Sequence, residues 1–177
     1  MELDFEIDKI TESIEDAETG ERVETLILPM RKVDLYAVSK KKGWGFGFRD
    51  WRKELSLSER QVYKLVTEKE PDIIEGVVSF EVKYDHVYMW LIENAPYNIG
   101  RKKKYLGVAC NMVAYGCILS KEAGFGGEMA FRAKTNLIHH YVEDLGAVHI
   151  GGGLMHIYEK RAKWLINQYF PENREVL

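Results

Sequence analysis

Four consecutive cations, Arg101, Lys102, Lys103 and Lys104, lead through Tyr105-Leu106-Gly107-Val108-Ala109 into the apolar segment 110–119. Small residues at the start of a buried helix leave its first-turn N–H groups open to an anion, at the positive end of the helix dipole. Gly107 and Ala109 keep that approach clear and the lysines add charge, so the stretch suits a multiply charged, phosphate-bearing ligand. Glu93 ends the apolar run 87–92 and is placed to take a proton from a bound group. Its alternative role is an ion pair with the nearby lysines. His140 and Tyr141 are the proton donors of a later helix, where Tyr141 also suits a core position.

Other chemistries lack their patterns. His139 and His140 are neighbours, about 100° apart around a helix, and cannot chelate one metal together. His86, His149 and His156 show no ligand spacing, so no metal site is expected. Cys110 and Cys117 lie on one predicted helix with Cα atoms roughly 10 Å apart, too far for a disulfide. They read as small core residues, and no Gly-x-Ser-x-Gly or Cys–His nucleophile pattern accompanies them. Residues 151–153, three glycines, suit a hairpin turn better than a phosphate loop.

The elements that must position these residues follow from periodicity. Residues 1–30 are expected to form a hairpin: Phe5, Ile7 and Ile10, then Val23, Leu26 and Leu28, flank a turn at 18–21 containing Gly20. Residues 33–42 predict a short helix ending in Lys40-Lys41-Lys42. Trp44, Phe46, Phe48 and Trp51, interleaved with glycine, predict an irregular packed loop. Strands are expected at 61–67, 74–82 and 87–92, the last apolar enough to be central and covered on both faces. A loop (93–103), a helix (107–122), a strand (127–133) and a helix (135–145) follow, with Gly124 and Gly146 as helix stops. A hairpin around 151–153 and a last helix (158–169) complete one domain spanning 1–177.

The order strand, loop, helix, strand, helix over 87–150, with Lys104-Tyr105-Leu106-Gly107-Val108-Ala109 between strand and helix, resembles the GCN5-related N-acetyltransferase superfamily. The six residues are similar to its Gln/Arg-x-x-Gly-x-Gly/Ala signature. The later segment Ala130-Phe131-Arg132-Ala133-Lys134-Thr135 through Leu145-Gly146-Ala147 is similar to poorly characterised bacterial members. The resemblance implies an α/β (α+β) fold with a mixed, mostly antiparallel central sheet flanked by helices, and 87–150 as its cofactor-binding core. It implies acetyl-coenzyme A as co-substrate and a primary amine, on a small molecule or a protein, as acceptor by direct attack. It implies that Lys104, Gly107, Val108 and Ala109 hold the pyrophosphate, with Arg101 to Lys103 supporting there or at the nucleotide's 3′-phosphate. Leu91 and Ile92 would run beside the pantetheine, with Thr135 or Asn136 bonding its amide. Glu93 would be the general base, and Tyr141 or His140 would protonate the departing thiolate. Two departures stand out: the signature begins with lysine, and the family's usual tyrosine, four residues before the helix-closing glycine, is Val142 here.

The whole chain bounds these expectations. Its 177 residues allow one domain with a proper core. With 46% hydrophobic and 30% charged residues and a net charge of −3, it reads as a soluble protein rather than a basic nucleic-acid binder. No stretch nears the roughly 18 apolar residues of a membrane span, and the acidic, alternating start differs from a signal peptide, so a cytoplasmic location is expected. Residues 2–24 are acidic except for Lys9 and Arg22. An edge strand in the terminal hairpin suits pairing across a two-fold axis, a homodimer. The alternative function is a non-catalytic acyl-coenzyme A sensor or interaction protein on the same fold.

Overall fold

In the computed structural model, which describes residues 1–173, the acidic N-terminal region is not one hairpin. Ile14–Asp16 (β1) and Arg22–Val23 (β2) pair antiparallel around the expected turn, where Gly20 has φ +74°. Thr25–Pro29 (β3) leaves this pair for a different sheet. Residues 4–13 form no helix or strand, although Phe5 and Ile7 are buried as their alternation requires. The helix expected at 33–42 is replaced by two 3-10 turns, Lys32–Val38 and Lys40–Lys42. Leu35 and Val38, the buried residues of the first turn, are three apart, a spacing that matches three residues per turn rather than 3.6.

The aromatic segment is packed, but half of it is helical: Gly47–Ser56 (α1) carries the fully buried Trp51, and Trp44 is buried just before it. Gln61–Thr67 (β4), Gly76–Val82 (β5) and Val87–Asn94 (β6) then form an antiparallel meander close to the expected bounds. The short strand Tyr105–Leu106 (β7) joins β1 and β2 in a separate three-stranded sheet of order β2-β1-β7. Val108–Glu122 (α2) is apolar on nearly every side, and it is buried on nearly every side, packed on β5 and β6 and beneath the last helix.

Met129–Arg132 (β8) follows. The helix expected at 135–145 is broken into a 3-10 turn at Thr135–Leu137, one α-helical turn at Ile138–His140 (α3) and a π-helical turn at Tyr141–Leu145. The wide turn keeps Tyr141 and Leu145, four residues apart and both fully buried, facing the core. Val148–His149 (β9), Leu154–Ile157 (β10) and Glu159–Tyr169 (α4) complete the described chain. The main sheet is thus mixed and mostly antiparallel, seven strands in the order β3-β4-β5-β6-β8-β10-β9, with helices against it. Among the described strands, only β6 and β8 are parallel neighbours in this sheet.

That parallel pair positions the site. It is hydrogen-bonded in register only at Val87↔Met129 and Tyr88↔Ala130. Two residues on, β6 has a bulge in which Trp90 is the extra residue, since Leu91 faces Ser79 while Met89 faces Phe80. A bulge bends and twists its strand, so β6 and β8 separate beyond this point.

Candidate active site

The split between β6 and β8 is lined by strand edges with free hydrogen-bonding capacity, and on the β8 side the chain's own N-terminal segment takes it. The Ala133 N–H is turned toward the β10 side, where it donates to Gly153 O at 2.8 Å. Alternation along a strand therefore turns the Arg132 carbonyl and the Lys134 N–H the other way, toward β6. Both are bonded to Leu3: Leu3 N–H donates to Arg132 O at 2.8 Å, and Lys134 N–H donates to Leu3 O at 3.0 Å, in a parallel bridge.

From Leu3 the segment runs outward past the broken helix. The Phe5 ring stacks on Tyr141 with centroids 4.6 Å apart and meets Phe131 edge-on at 5.3 Å. The Tyr141 hydroxyl donates to Phe5 O at 2.7 Å, and burial pushes its pKa well above the usual phenol value. The Ile7 N–H donates to His140 Nε2 at 3.1 Å, so the ring proton belongs on Nδ1, 2.5 Å from Asp144 Oδ2. Both candidate proton donors are therefore already bonded to residues 5 and 7.

At the far end lies the start of α2. Gly107 is the helix's N-cap with φ +84°, a left-handed conformation in which its N–H turns outward, and no side chain of the cap residue itself closes the helix end. That N–H donates to Asp8 Oδ1 at 2.9 Å. The other Asp8 oxygen lies 3.3 Å from Lys103 Nζ, which also reaches Glu6 Oε2 at 2.8 Å. The Gly107 N–H is thus bound to a carboxylate of the chain's own N-terminal segment. The cation beside that carboxylate is Lys103, while Lys104 Nζ points over the rings of Tyr97 and Tyr105 at 5.5 and 5.1 Å. Arg101 is exposed on the same loop, and Val108 and Ala109 are buried in the first turn.

The inner end of the split opens on a cavity of about 680 Å³ lined by Ile92, Glu93, Asn94, Phe46 and residues of the N-terminal segment. Glu93 is a buried strand residue of β6, and no lysine pairs with it among the described residues. Its Oε2 accepts the Gly45 and Phe46 N–H groups at 2.6 and 3.0 Å, and its Oε1 accepts Trp51 Nε1–H at 3.0 Å. A carboxylate has about four acceptor sites, so roughly one stays available toward the cavity. The next residue, Asn94, lies opposite Gly76 and so turns its side chain to the other, α2 face of the sheet; it is 8% exposed and its Oδ1 has no hydrogen-bond partner among the described residues.

The structure therefore brings Leu91, Ile92 and Glu93 to one wall of the split, Gly107, Val108 and Ala109 to its outer end, and Tyr141 and His140 to the opposite wall. Thr135 and Asn136 are exposed in the 3-10 turn after β8, beyond Lys134. Cys110 and Cys117 are buried, unpaired thiols pushed up to about 12 by burial. Among the described residues no three His, Cys, Asp or Glu side chains gather as metal ligands, and no helix is long and apolar enough to cross a membrane.

No protein-family model matches the sequence, and no curated protein does. Solved structures do match the fold. The ribosomal-protein-S18-alanine N-acetyltransferase from Escherichia coli superposes with a TM-score of 0.54 at 12% identity, over 75% of this chain and 92% of that one. The spermidine/spermine N-acetyltransferase SpeG from Vibrio cholerae, in a mutant form, gives 0.56 at 14% identity over 78% and 96%. A mutant AtaT toxin, bound to the C-terminus of the antitoxin AtaR and acetyl-CoA, gives 0.58 at 13% over 82% and 99%. The chain has the fold of the GCN5-related N-acetyltransferases.

Proposed function

We propose that this protein is an N-acetyltransferase that transfers an acetyl group from acetyl-coenzyme A to a primary amine by direct attack. The observation that carries the reading is a split parallel strand pair with an anion-binding Gly107 amide at one end and the Glu93 cavity at the other. The Asp8 carboxylate on Gly107 and Lys103 is a stand-in for a phosphate oxygen, so these residues fit the pyrophosphate. They would hold it together with the first-turn amides of Val108 and Ala109. Arg101 and Lys104 would add positive field from the rim. The free β6 edge at Leu91 and Ile92 would lie along the pantetheine, and Thr135 or Asn136 would bond its amide.

When bound, the thioester supplies an activated carbonyl and a thiolate leaving group. The chain's residues supply the rest. Glu93, through its remaining acceptor site or one water, takes the proton that the ammonium must lose before attack. Tyr141 returns a proton to the thiolate once its bond to Phe5 opens; His140 would do so only with a proton on the Nε2 that Ile7 vacates. Calorimetric titration with acetyl-coenzyme A tests the reading, and absence of heat at millimolar ligand would overturn it. Thiol release with a panel of amines should then fall by about 10²–10⁴ in Glu93→Gln, with unfolding followed in parallel because Glu93 also anchors a loop.

A second reading, binding of an acyl-coenzyme A without turnover, is favoured by the three donors already on Glu93 and by Val142 at the family's tyrosine position. Heat on titration with no thiol release from any amine would select it.

A further inference from the structure

We infer that residues 3–8 are an internal competitor of acetyl-coenzyme A, an extended strap that fills the coenzyme's slot and must leave before the coenzyme enters. The inference rests on the acetyl-coenzyme A reading above. Three regions of the slot are occupied by the same six residues, in the order in which a bound coenzyme would meet them. Between the strands, Leu3 takes the inward-facing Arg132 carbonyl and Lys134 amide, the polar groups that the split leaves for a ligand's own amides. Along the far wall, Phe5 and Ile7 use up the Tyr141 hydroxyl and His140 Nε2. At the helix start, Asp8 takes the Gly107 N–H, and Glu6 and Asp8 together take Lys103.

The chemistry of the strap imitates the ligand it excludes. Its apolar residues, Leu3, Phe5 and Ile7, are all buried against the protein. Its carboxylates sit at the anion-binding end, with Asp4 on Lys134 Nζ at 2.6 Å in addition. Yet residues 4–13 belong to no strand or helix, so apart from the Leu3 bridge no β-ladder holds the strap in place. Its polar attachments are single hydrogen bonds and ion pairs, which a phosphate ester or a pantetheine amide can replace in kind. An extended segment bound this way exchanges with a ligand for the same donors.

Two measurements on the full chain test this. The first compares acetyl-coenzyme A affinity by calorimetry between the wild type and Phe5→Ala/Asp8→Asn, with thermal unfolding to show that the variant is folded. Loss of the charge-assisted bond at Gly107 alone should tighten binding by about tenfold, and loss of the Phe5 stack adds to that. The second measures amide hydrogen exchange in the unaltered protein. Saturating acetyl-coenzyme A should speed exchange at Leu3 and Ile7 while leaving Val78 in β5 protected. Equal or weaker affinity in the folded variant, or unchanged or slower exchange at Leu3 and Ile7 on binding, overturns the strap while leaving the coenzyme reading standing. No binding to either form overturns the coenzyme reading, and the strap with it. If the variant does not fold, the exchange measurement decides.

Discussion

Replacing Glu93 by glutamine puts an N–H₂ where one of two accepting oxygens stood. The best orientation keeps the amide oxygen on Gly45 and Phe46, now at 2.6 and 3.0 Å from a neutral acceptor, and turns the nitrogen toward Trp51 Nε1, 3.0 Å from the lost oxygen. Trp51 is fully buried, so its N–H is left facing another donor with no water to turn to. An orphaned buried donor costs about 1–3 kcal/mol, and the change from charged to neutral acceptor removes roughly half the strength of each remaining bond. The neutral amide offsets part of this because it loses less on burial, which leaves about 3 kcal/mol net. For a chain of this size that is a fall of about 6–12 °C in melting temperature. Calorimetric melting of Glu93→Gln, Trp51→Phe and the double variant measures it, with a coupling of about 1 kcal/mol or more expected between the two sites. A single variant within about 3 °C of wild type, or no coupling, would refute the anchoring and leave Glu93 a purely chemical residue.

Two further outcomes follow from neighbouring geometry. Gly107→Ala places a Cβ 2.4 Å from Thr11 Oγ1 at φ +84°, so it should destabilise the protein by about 2–4 kcal/mol, read from the denaturant midpoint. Glu75 is 1% exposed, and burial raises its pKa above the ordinary carboxylate value against the opposing hydrogen bond from Tyr97 and the charge of Lys104, with Glu70 reinforcing the rise. Its folded state therefore holds the proton more tightly than the unfolded chain does. The stabilisation is complete below the unfolded value and is lost as pH rises through the folded one. Urea unfolding across that acidic window should show a falling contribution in wild type that Glu75→Gln lacks, and identical pH slopes in the two would contradict it.

Local signals carried much of this molecule. The alternating runs that became β4 and β5, the nearly continuous apolar run of β6 and the all-round apolar α2 lie within a few residues of their expected bounds, because each is decided by burial of its own side chains. Two expected helices did not form as regular α-helix. The 33–42 segment has only Leu35 and Val38 to bury in its first turn and tightens into 3-10 turns. The 135–145 segment widens around Tyr141 and Leu145. The basic loop before Gly107 was legible, but which of its cations lies beside the Gly107 amide was not. Lys102, Lys103 and Lys104 are equivalent in composition, and only the path of the loop sends Lys103 to Asp8 and Lys104 over two tyrosine rings.

Glu93 shows the same division at the other end of the site. Its place at the end of an apolar strand was evident, while its partners, Gly45, Phe46 and Trp51, come from more than forty residues earlier. The N-terminal segment marks the boundary most clearly. The alternation of Leu3, Phe5 and Ile7 with carboxylates by itself determined an extended chain with one face buried, because period two is a property of the strand's own backbone. Which edge it would meet was decided only in three dimensions. Leu3 bonds to Arg132 and Lys134, Ile7 to His140 and Asp8 to Gly107, contacts that span 99 to 133 residues where hydrogen bonds to side chains are involved. Nothing in a local pattern distinguishes pairing with a hairpin neighbour from pairing with a distant strand, since both satisfy the same backbone groups. The split between β6 and β8 presented the unpaired edge, and the fold sent the segment there.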